Sequence, residues 1–191
     1  MTAMRCFVAI ELPKEVRDGL AGLQERLHGL GRSVRWTRVE QIHLTLKFLG
    51  EVPDDKVPAV CDAATAVAAR YEPFDLEVAG TGCFPPGGPA RIVWAGTADP
   101  PPAMIDCQQA CEQACAELGF KPEKRTYHPH LTVGRVRDTR ASGEIRAAVE
   151  SEAAFSAGSF VAEELVLFQS ILRPTGTTHI VIARAPLGGS A

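Results

Sequence analysis

Two four-residue stretches carry the side chains best suited to chemistry, His43-Leu44-Thr45-Leu46 and His130-Leu131-Thr132-Val133. Both lie in apolar runs that read as β-strands. Alternate side chains of a strand share a face, so each histidine and its threonine point the same way, roughly 6 to 7 Å apart. Leu44 and Leu131 then turn to the core. A chain that twice presents an imidazole and a hydroxyl on one strand face can bring two imidazoles to a single substrate. Imidazole titrates near neutral pH, so the pair can supply a general acid and a general base without a metal ion. A lone histidine on an apolar strand is ordinarily a packed core residue, and a strand threonine ordinarily reflects β propensity. The repetition is what argues for chemistry.

Other candidate groups are weaker. Lys47 shares the parity of His43 and Thr45 and is expected to add positive charge to their face. His128-Pro129-His130 puts two imidazoles on one side, a candidate metal-binding pair, but no carboxylate clusters with it. It reads instead as a neighbour that touches substrate or caps the strand. His28 and His179 read as structural. Cys107, Cys111 and Cys115 recur every four residues together with Met104 and Leu118, the pattern of a buried helix face rather than a metal or redox site.

The elements that must position the two motifs are set by hydrophobic spacing. Arg5 to Leu12 reads as a strand. Pro13 opens a helix through Val16, Leu20, Leu23, Leu27 and Leu30, stopped at Gly31. A short strand over Val34 to Arg38 precedes the first motif strand, Ile42 to Leu49. Pro53 to Tyr71 is a second helix, Phe74 to Cys83 and Arg91 to Gly96 are strands, and the Pro- and Gly-rich 84–89 segment is a loop. A third helix runs from the prolines at 100–102 to about Leu118. The basic connection with Lys121, Lys124 and Arg125, read as a solvated loop, then leads into the second motif strand, Pro129 to Val136. A fourth helix over Ala141 to Ser151 precedes two β runs, Phe160 to Leu172 and Thr177 to Arg184, joined by a hairpin at Arg173-Pro174-Thr175-Gly176. This order is α+β, with one rough duplication marked by the two motifs.

Composition bounds the partners. The chain has 191 residues, 46% hydrophobic and 23% charged, ordinary for a globular domain. A net charge of -3 gives no global basic field for a long duplex, so any nucleic acid must be held locally. The sequence given opens without the charged and apolar pattern of a signal peptide and contains no run of membrane-helix length, so the expected location is cytoplasmic. There the six cysteines stay reduced.

His43-Leu44-Thr45-Leu46-Lys47-Phe48-Leu49-Gly50 together with Tyr127-His128-Pro129-His130-Leu131-Thr132-Val133-Gly134-Arg135 resembles the 2H phosphoesterases. Arg5 to Pro13 and Phe84 to Trp94 share the likeness. The branch is the bacterial and archaeal RNA 2',3'-cyclic phosphodiesterases, historically called 2'-5' RNA ligases. The resemblance implies a bilobal α+β fold: two antiparallel-rich sheets with pseudo-two-fold symmetry around a central cleft, helices outside. Residues 1–185 would be one domain of two lobes and 186–191 a flexible tail. It implies hydrolysis of a terminal 2',3'-cyclic phosphate to a 2'-phosphate with no metal and no cofactor, and 2'-5' ligation in reverse. His43 would be the proton donor and His130 the proton acceptor, with Thr45 and Thr132 hydrogen-bonded to the phosphate. Arg135 or Lys47 would be the phosphate-side cation, and Phe84 or Tyr127 would either stack on the base or pack in the core. Strict alternation sets Arg135 on the wrong face, so its role requires a twist or bulge after Gly134. Partners would be RNA ends or small cyclic nucleotides, with no membrane and no obligate protein, the protein acting as a monomer. The opposing classes are a nucleotide-binding module without turnover and a metal-dependent phosphohydrolase. Two titrating imidazoles favour the enzyme.

Overall fold

A computed structural model of the chain describes residues 2–173 and 176–188. The elements are β1 (Ala3–Glu11), α1 (Lys14–Arg26), β2 (Val34–Trp36), β3 (His43–Pro53), α2 (Val57–Ala68), β4 (Phe74–Phe84) and β5 (Ile92–Ala98). They continue with α3 (Pro102–Glu117), β6 (His130–Val136), α4 (Ser142–Glu150), β7 (Ser156–Ala162), β8 (Glu164–Arg173) and β9 (Gly176–Pro186). The apolar spacing acts as expected in α1, where Val16, Leu20 and Leu23 are buried, and Gly31 turns the chain with φ +53°. α2 begins at Val57 rather than at Pro53. The reason is that β3 keeps pairing with β1 as far as Ala3 opposite Pro53.

Every strand pairing is antiparallel, in the order β7-β4-β5-β6-β3-β1-β8-β9, with β2 beside β6. The two halves are related by a rough two-fold axis, β6-β5-β4-β7 against β3-β1-β8-β9. They are one hydrogen-bonded sheet rather than the two expected. The join is the single pair Leu44 opposite Leu131, the residues between the histidine and threonine of each motif. Beyond it the motif strands splay, and β2 fills the wedge against β6, with Val34 to Trp36 opposite Gly134 to Val136.

The helices bury one face of the sheet. Val16, Leu20, Val60, Met104, Cys107 and Ile145 pack there against the inward residues of the strands. The cysteine stripe is therefore core, and all six cysteines are free. Burial pushes the Cys6 and Cys115 thiols up to about 11, which keeps them protonated and unreactive. On the opposite face Phe7, Ala9, Val166 and Phe168 form a smaller cluster.

The last third departs from its periodicity. The run expected over Phe160 to Leu172 is two strands broken at Glu163, because β7 pairs with β4 while β8 pairs with β1. The polar start of β7, Ser156 to Ser159, gave no hydrophobic signal. β8 and β9 pair from Glu164 opposite Pro186 to Arg173 opposite Gly176, while Pro174 and Thr175 of the expected turn lie outside the described residues. The tail is tethered further than expected. Leu187 is buried, and its amide and that of Gly188 donate to the Glu163 and Tyr71 carbonyls. Residues 189–191 lie outside the described ones.

Candidate active site

The two motif strands are built alike down to their irregularities. In β3, Lys47 lies opposite Val8 and Thr45 opposite Ala9, which leaves Leu46 as an extra residue. In β6, Gly134 lies opposite Val93 and Thr132 opposite Trp94, which leaves Val133 extra at the corresponding place. A bulged residue drops out of the ladder, so its carbonyl must find another donor. A glutamine of a helix beneath each strand supplies one: Gln108 Nε2 of α3 donates to the Leu46 carbonyl at 3.2 Å, and Gln24 Nε2 of α1 donates at 2.9 Å to the Val133 carbonyl, which also accepts from the Thr37 amide at 3.0 Å.

Each bulge reverses the parity of the residues after it. Lys47 was expected beside His43 and Thr45, but the bulge turns it to the helix face. There it is 2% exposed, and its Nζ donates to Glu112 Oε2 at 2.6 Å and to the Lys121 carbonyl at 2.9 Å. It is a structural cation. Arg135, which strict alternation set on the wrong face, is turned onto the face of His130 and Thr132 and is exposed. The bulge comes before Gly134, not after it. Gly134 itself points inward, where a Cβ would stand 2.7 Å from Val34 Cγ1 and 2.9 Å from Trp36. The residue of β3 corresponding to Arg135 is Phe48, 63% exposed on the cleft face. One end of the cleft is thus cationic and the other aromatic.

The imidazoles are oriented identically. Nδ1 of His43 lies 2.9 Å from the Gln41 carbonyl, and Nδ1 of His130 lies 2.7 Å from the His128 carbonyl. A carbonyl oxygen only accepts, so each Nδ1 carries a hydrogen and each Nε2 is left for substrate. An antiparallel register through Leu44 and Leu131 sets His43 toward Thr132 and His130 toward Thr45. The His43 ring stacks on Phe7 with centroids 4.5 Å apart, and His130 meets Phe84 edge-on at 4.9 Å.

Both imidazoles are harder to protonate than in water. Burial is the first cause at His43, followed by the neighbouring His179, and together they outweigh the Gln41 carbonyl and bring the pKa down to about 4. Burial also lowers His130, against the opposing hydrogen bond to the His128 carbonyl, with the His128 ring and Arg135 adding to the shift. Arg135 acts on both histidines, which puts its charge within reach of both.

His179, read from sequence as structural, is a wall of this cleft. It sits on β9, three strands from β3. Strands lie about 4.8 Å apart, so a flat sheet would separate the two by roughly 14 Å. The rings of His179 and His43 are 4.9 Å apart because the sheet curls. No short-range pattern reports a curl. The opposite wall is a groove of about 540 Å³ that starts at His130 and is lined by Phe84, Trp94, Thr97, Tyr127 and His128. Trp94 lies flat over Gly82, where a Cβ would stand 2.2 Å from the indole. Tyr127 shows the groove only part of its ring. It is largely buried, and its hydroxyl donates to the Thr45 carbonyl at 2.9 Å, so its first task is to tie the 121–129 connection to β3. Among the described residues no group of three or more His, Cys, Asp or Glu side chains stands close enough to hold a metal ion.

The model of the LigT-like phosphoesterase family matches residues 10–94 and 97–178. An RNA 2',3'-cyclic phosphodiesterase of Methanothermobacter thermautotrophicus is 32% identical over 176 residues, 92% of this chain and 95% of that protein. The one from Escherichia coli is 31% identical over 131 residues, 69% of this chain and 71% of that protein. Among solved structures, a protein of Thermus thermophilus superposes with a TM-score of 0.84 at 26% identity, covering 98% of this chain and 100% of that one. E. coli LigT complexed with 3'-AMP superposes with a TM-score of 0.80 at 26% identity, covering 98% and 99%.

Proposed function

The chain belongs to the LigT-like phosphoesterase family, and from that premise we propose that it is an RNA 2',3'-cyclic phosphodiesterase that opens a terminal cyclic phosphate to a 2'-phosphomonoester. The observation that carries this reading is the matched pair of imidazoles. Each has Nδ1 fixed on the carbonyl two residues upstream, leaving two Nε2 atoms for one phosphate.

In the proposed reaction a water attacks phosphorus and loses a proton to Nε2 of His130, the base. The P–O3' bond breaks, and O3' takes the proton of His43 Nε2, the acid. The 2' oxygen stays on phosphorus. Thr45 and Thr132 donate hydrogen bonds to the non-bridging oxygens, and Arg135 balances their charge. Phe84 with Trp94 on one side, and Phe48 on the other, offer flat surfaces to bases. With the 5' hydroxyl of a second RNA attacking phosphorus in place of water, the same proton transfers and the same P–O3' cleavage give a 2'-5' linkage. No metal or cofactor is invoked, since the donors near the cleft are imidazoles, hydroxyls and a guanidinium. No helix among the described residues is long and apolar enough to cross a membrane. We infer a monomer acting in the cytoplasm without an obligate partner.

The test is incubation with an RNA oligonucleotide ending in a 2',3'-cyclic phosphate, in the presence of chelator. A 2'-phosphate product is expected. A 3'-phosphate product, or loss of activity in chelator that a metal restores, would overturn the reading.

The lowered histidines also set a pH dependence. kcat/KM reports the ionisations of the free enzyme, in which His43 must be protonated and His130 neutral. With His43 at about 4 and His130 lowered below its ordinary value of 6.5, the change that dominates above pH 7 is the loss of protonated His43. kcat/KM should then fall about tenfold per pH unit over that range. Bound phosphate, being anionic, raises His43, so kcat should fall less steeply. A kcat/KM that climbs through pH 7 would contradict the acid assignment.

A further inference from the structure

The groove that starts at His130 adjoins one side of the reaction only. In a displacement at phosphorus the attacking and leaving oxygens stand roughly in line, on opposite sides of the phosphorus. With His130 as base and His43 as acid, the nucleophile enters beside His130 and O3' departs beside His43. The ribose that keeps O3' therefore goes with His43, whose ring is walled by Phe7, Phe168 and His179. The groove is lined by His130 and not by His43, so it opens on the nucleophile.

A water molecule needs about 30 Å³. The groove holds about 540 Å³, the size of a site for an organic ligand. Its lining suits a nucleoside. The Trp94 indole lies across Gly82 and Gly96, where a Cβ would stand 2.2 and 3.1 Å from ring atoms, so a flat ring can floor the groove. Phe84 joins that floor to the catalytic centre, its ring 4.9 Å from His130 and 5.4 Å from Trp94. Among the described residues that line it, none is Asp, Glu, Lys or Arg, which fits an uncharged occupant. Resting on the proposed phosphodiesterase reading, we propose that this groove is the acceptor subsite for 2'-5' ligation. It holds the 5'-terminal nucleoside of a second RNA, base on Trp94 and Phe84, with the 5'-hydroxyl beside Nε2 of His130. That hydroxyl gives its proton to His130 as the P–O5' bond forms. The P–O3' bond breaks, and O3' takes the proton of His43. The products are a 2'-5' phosphodiester and a free 3'-hydroxyl, and solvent returns both imidazoles to their starting protonation.

The test offers saturating RNA with a 2',3'-cyclic phosphate end and one of two acceptor dinucleotides with free 5'-hydroxyls, one complete and one abasic at its 5' residue. Ligated product and 2'-phosphate are counted in the same reaction. With the wild type and the complete acceptor, ligation should level off while hydrolysis falls, because the bound acceptor displaces the attacking water. The abasic acceptor should lower ligation relative to hydrolysis about tenfold, the loss of one stacked base. Trp94→Ala should do the same, and the two changes together should cost little more, since each breaks the same contact. Ligation that rises linearly with acceptor at constant hydrolysis, hydrolysis with no ligation, or losses that multiply would each overturn the proposal. The wild-type comparisons decide it even if Trp94→Ala does not fold. If the wild type forms neither product, the reaction assigned above fails, and the groove is tested by fluorescence. Trp36→Phe leaves Trp94 as the one tryptophan of two. Quenching by the complete dinucleotide and not by the abasic one would keep the nucleoside site, and equal responses would remove it.

Discussion

His43→Ala and His130→Ala are each expected to lower kcat/KM by about 10²- to 10⁴-fold on an RNA cyclic phosphate, the range over which a positioned acid or base contributes. The double variant should lose little more than either single one. Acid and base act on one transition state, and removing one partner strips the other of its use. Folding must be checked alongside, since His43 stacks on Phe7 and packs edge-on against His179. Unchanged circular dichroism with the full kinetic loss is the expected result. Turnover near the wild-type rate in either single variant would remove that histidine from the chemistry. A loss in both of them confined to KM would instead favour a cleft that holds nucleotides without converting them.

Lys47 and Arg135 should separate cleanly by opposite readouts. Lys47→Ala removes a buried ammonium and leaves Glu112 without its partner. The 121–129 connection also loses its anchor at the Lys121 carbonyl. Breaking a buried pair from one side costs about 3 to 5 kcal/mol, and Glu112 retains some exposure, so about 3 kcal/mol is expected from urea unfolding. Arg135→Ala removes an exposed side chain and should change stability by less than about 0.5 kcal/mol. Its kcat/KM should fall by roughly tenfold or more, as expected for a charge-assisted contact to phosphate. If Lys47→Ala instead kept its stability and lost only activity, the reading of Lys47 as a phosphate cation would be restored.

Much of the site was legible before any coordinates. Strand periodicity is local, set by backbone geometry between neighbours, and it correctly placed His43 with Thr45 and His130 with Thr132 on shared faces, with Leu44 and Leu131 inward. Helical spacing correctly buried Val16, Leu20 and Leu23, and the stripe of Met104, Cys107, Cys111 and Cys115. The sequence by itself therefore determined which side chains share the face of each motif, and the family resemblance determined the reaction to look for.

What it could not determine is everything carried by an interruption of period or by long-range closure. One extra residue at Leu46 and one at Val133 exchange the fates of Lys47 and Arg135, sending one to the core and the other to the cleft. Bulges of this kind are settled by donors distant in sequence, the Thr37 amide and the side chains of Gln108 and Gln24, and the only local signal of the two glutamines is a polar residue in a helix that packs on the sheet. His179 enters the cleft because the sheet curls, and Arg35 faces Arg135 because β2 slips into the wedge where β3 and β6 part. Such juxtapositions are sums of many small twists and packing choices spread over the whole sheet. Only the tertiary structure decides them.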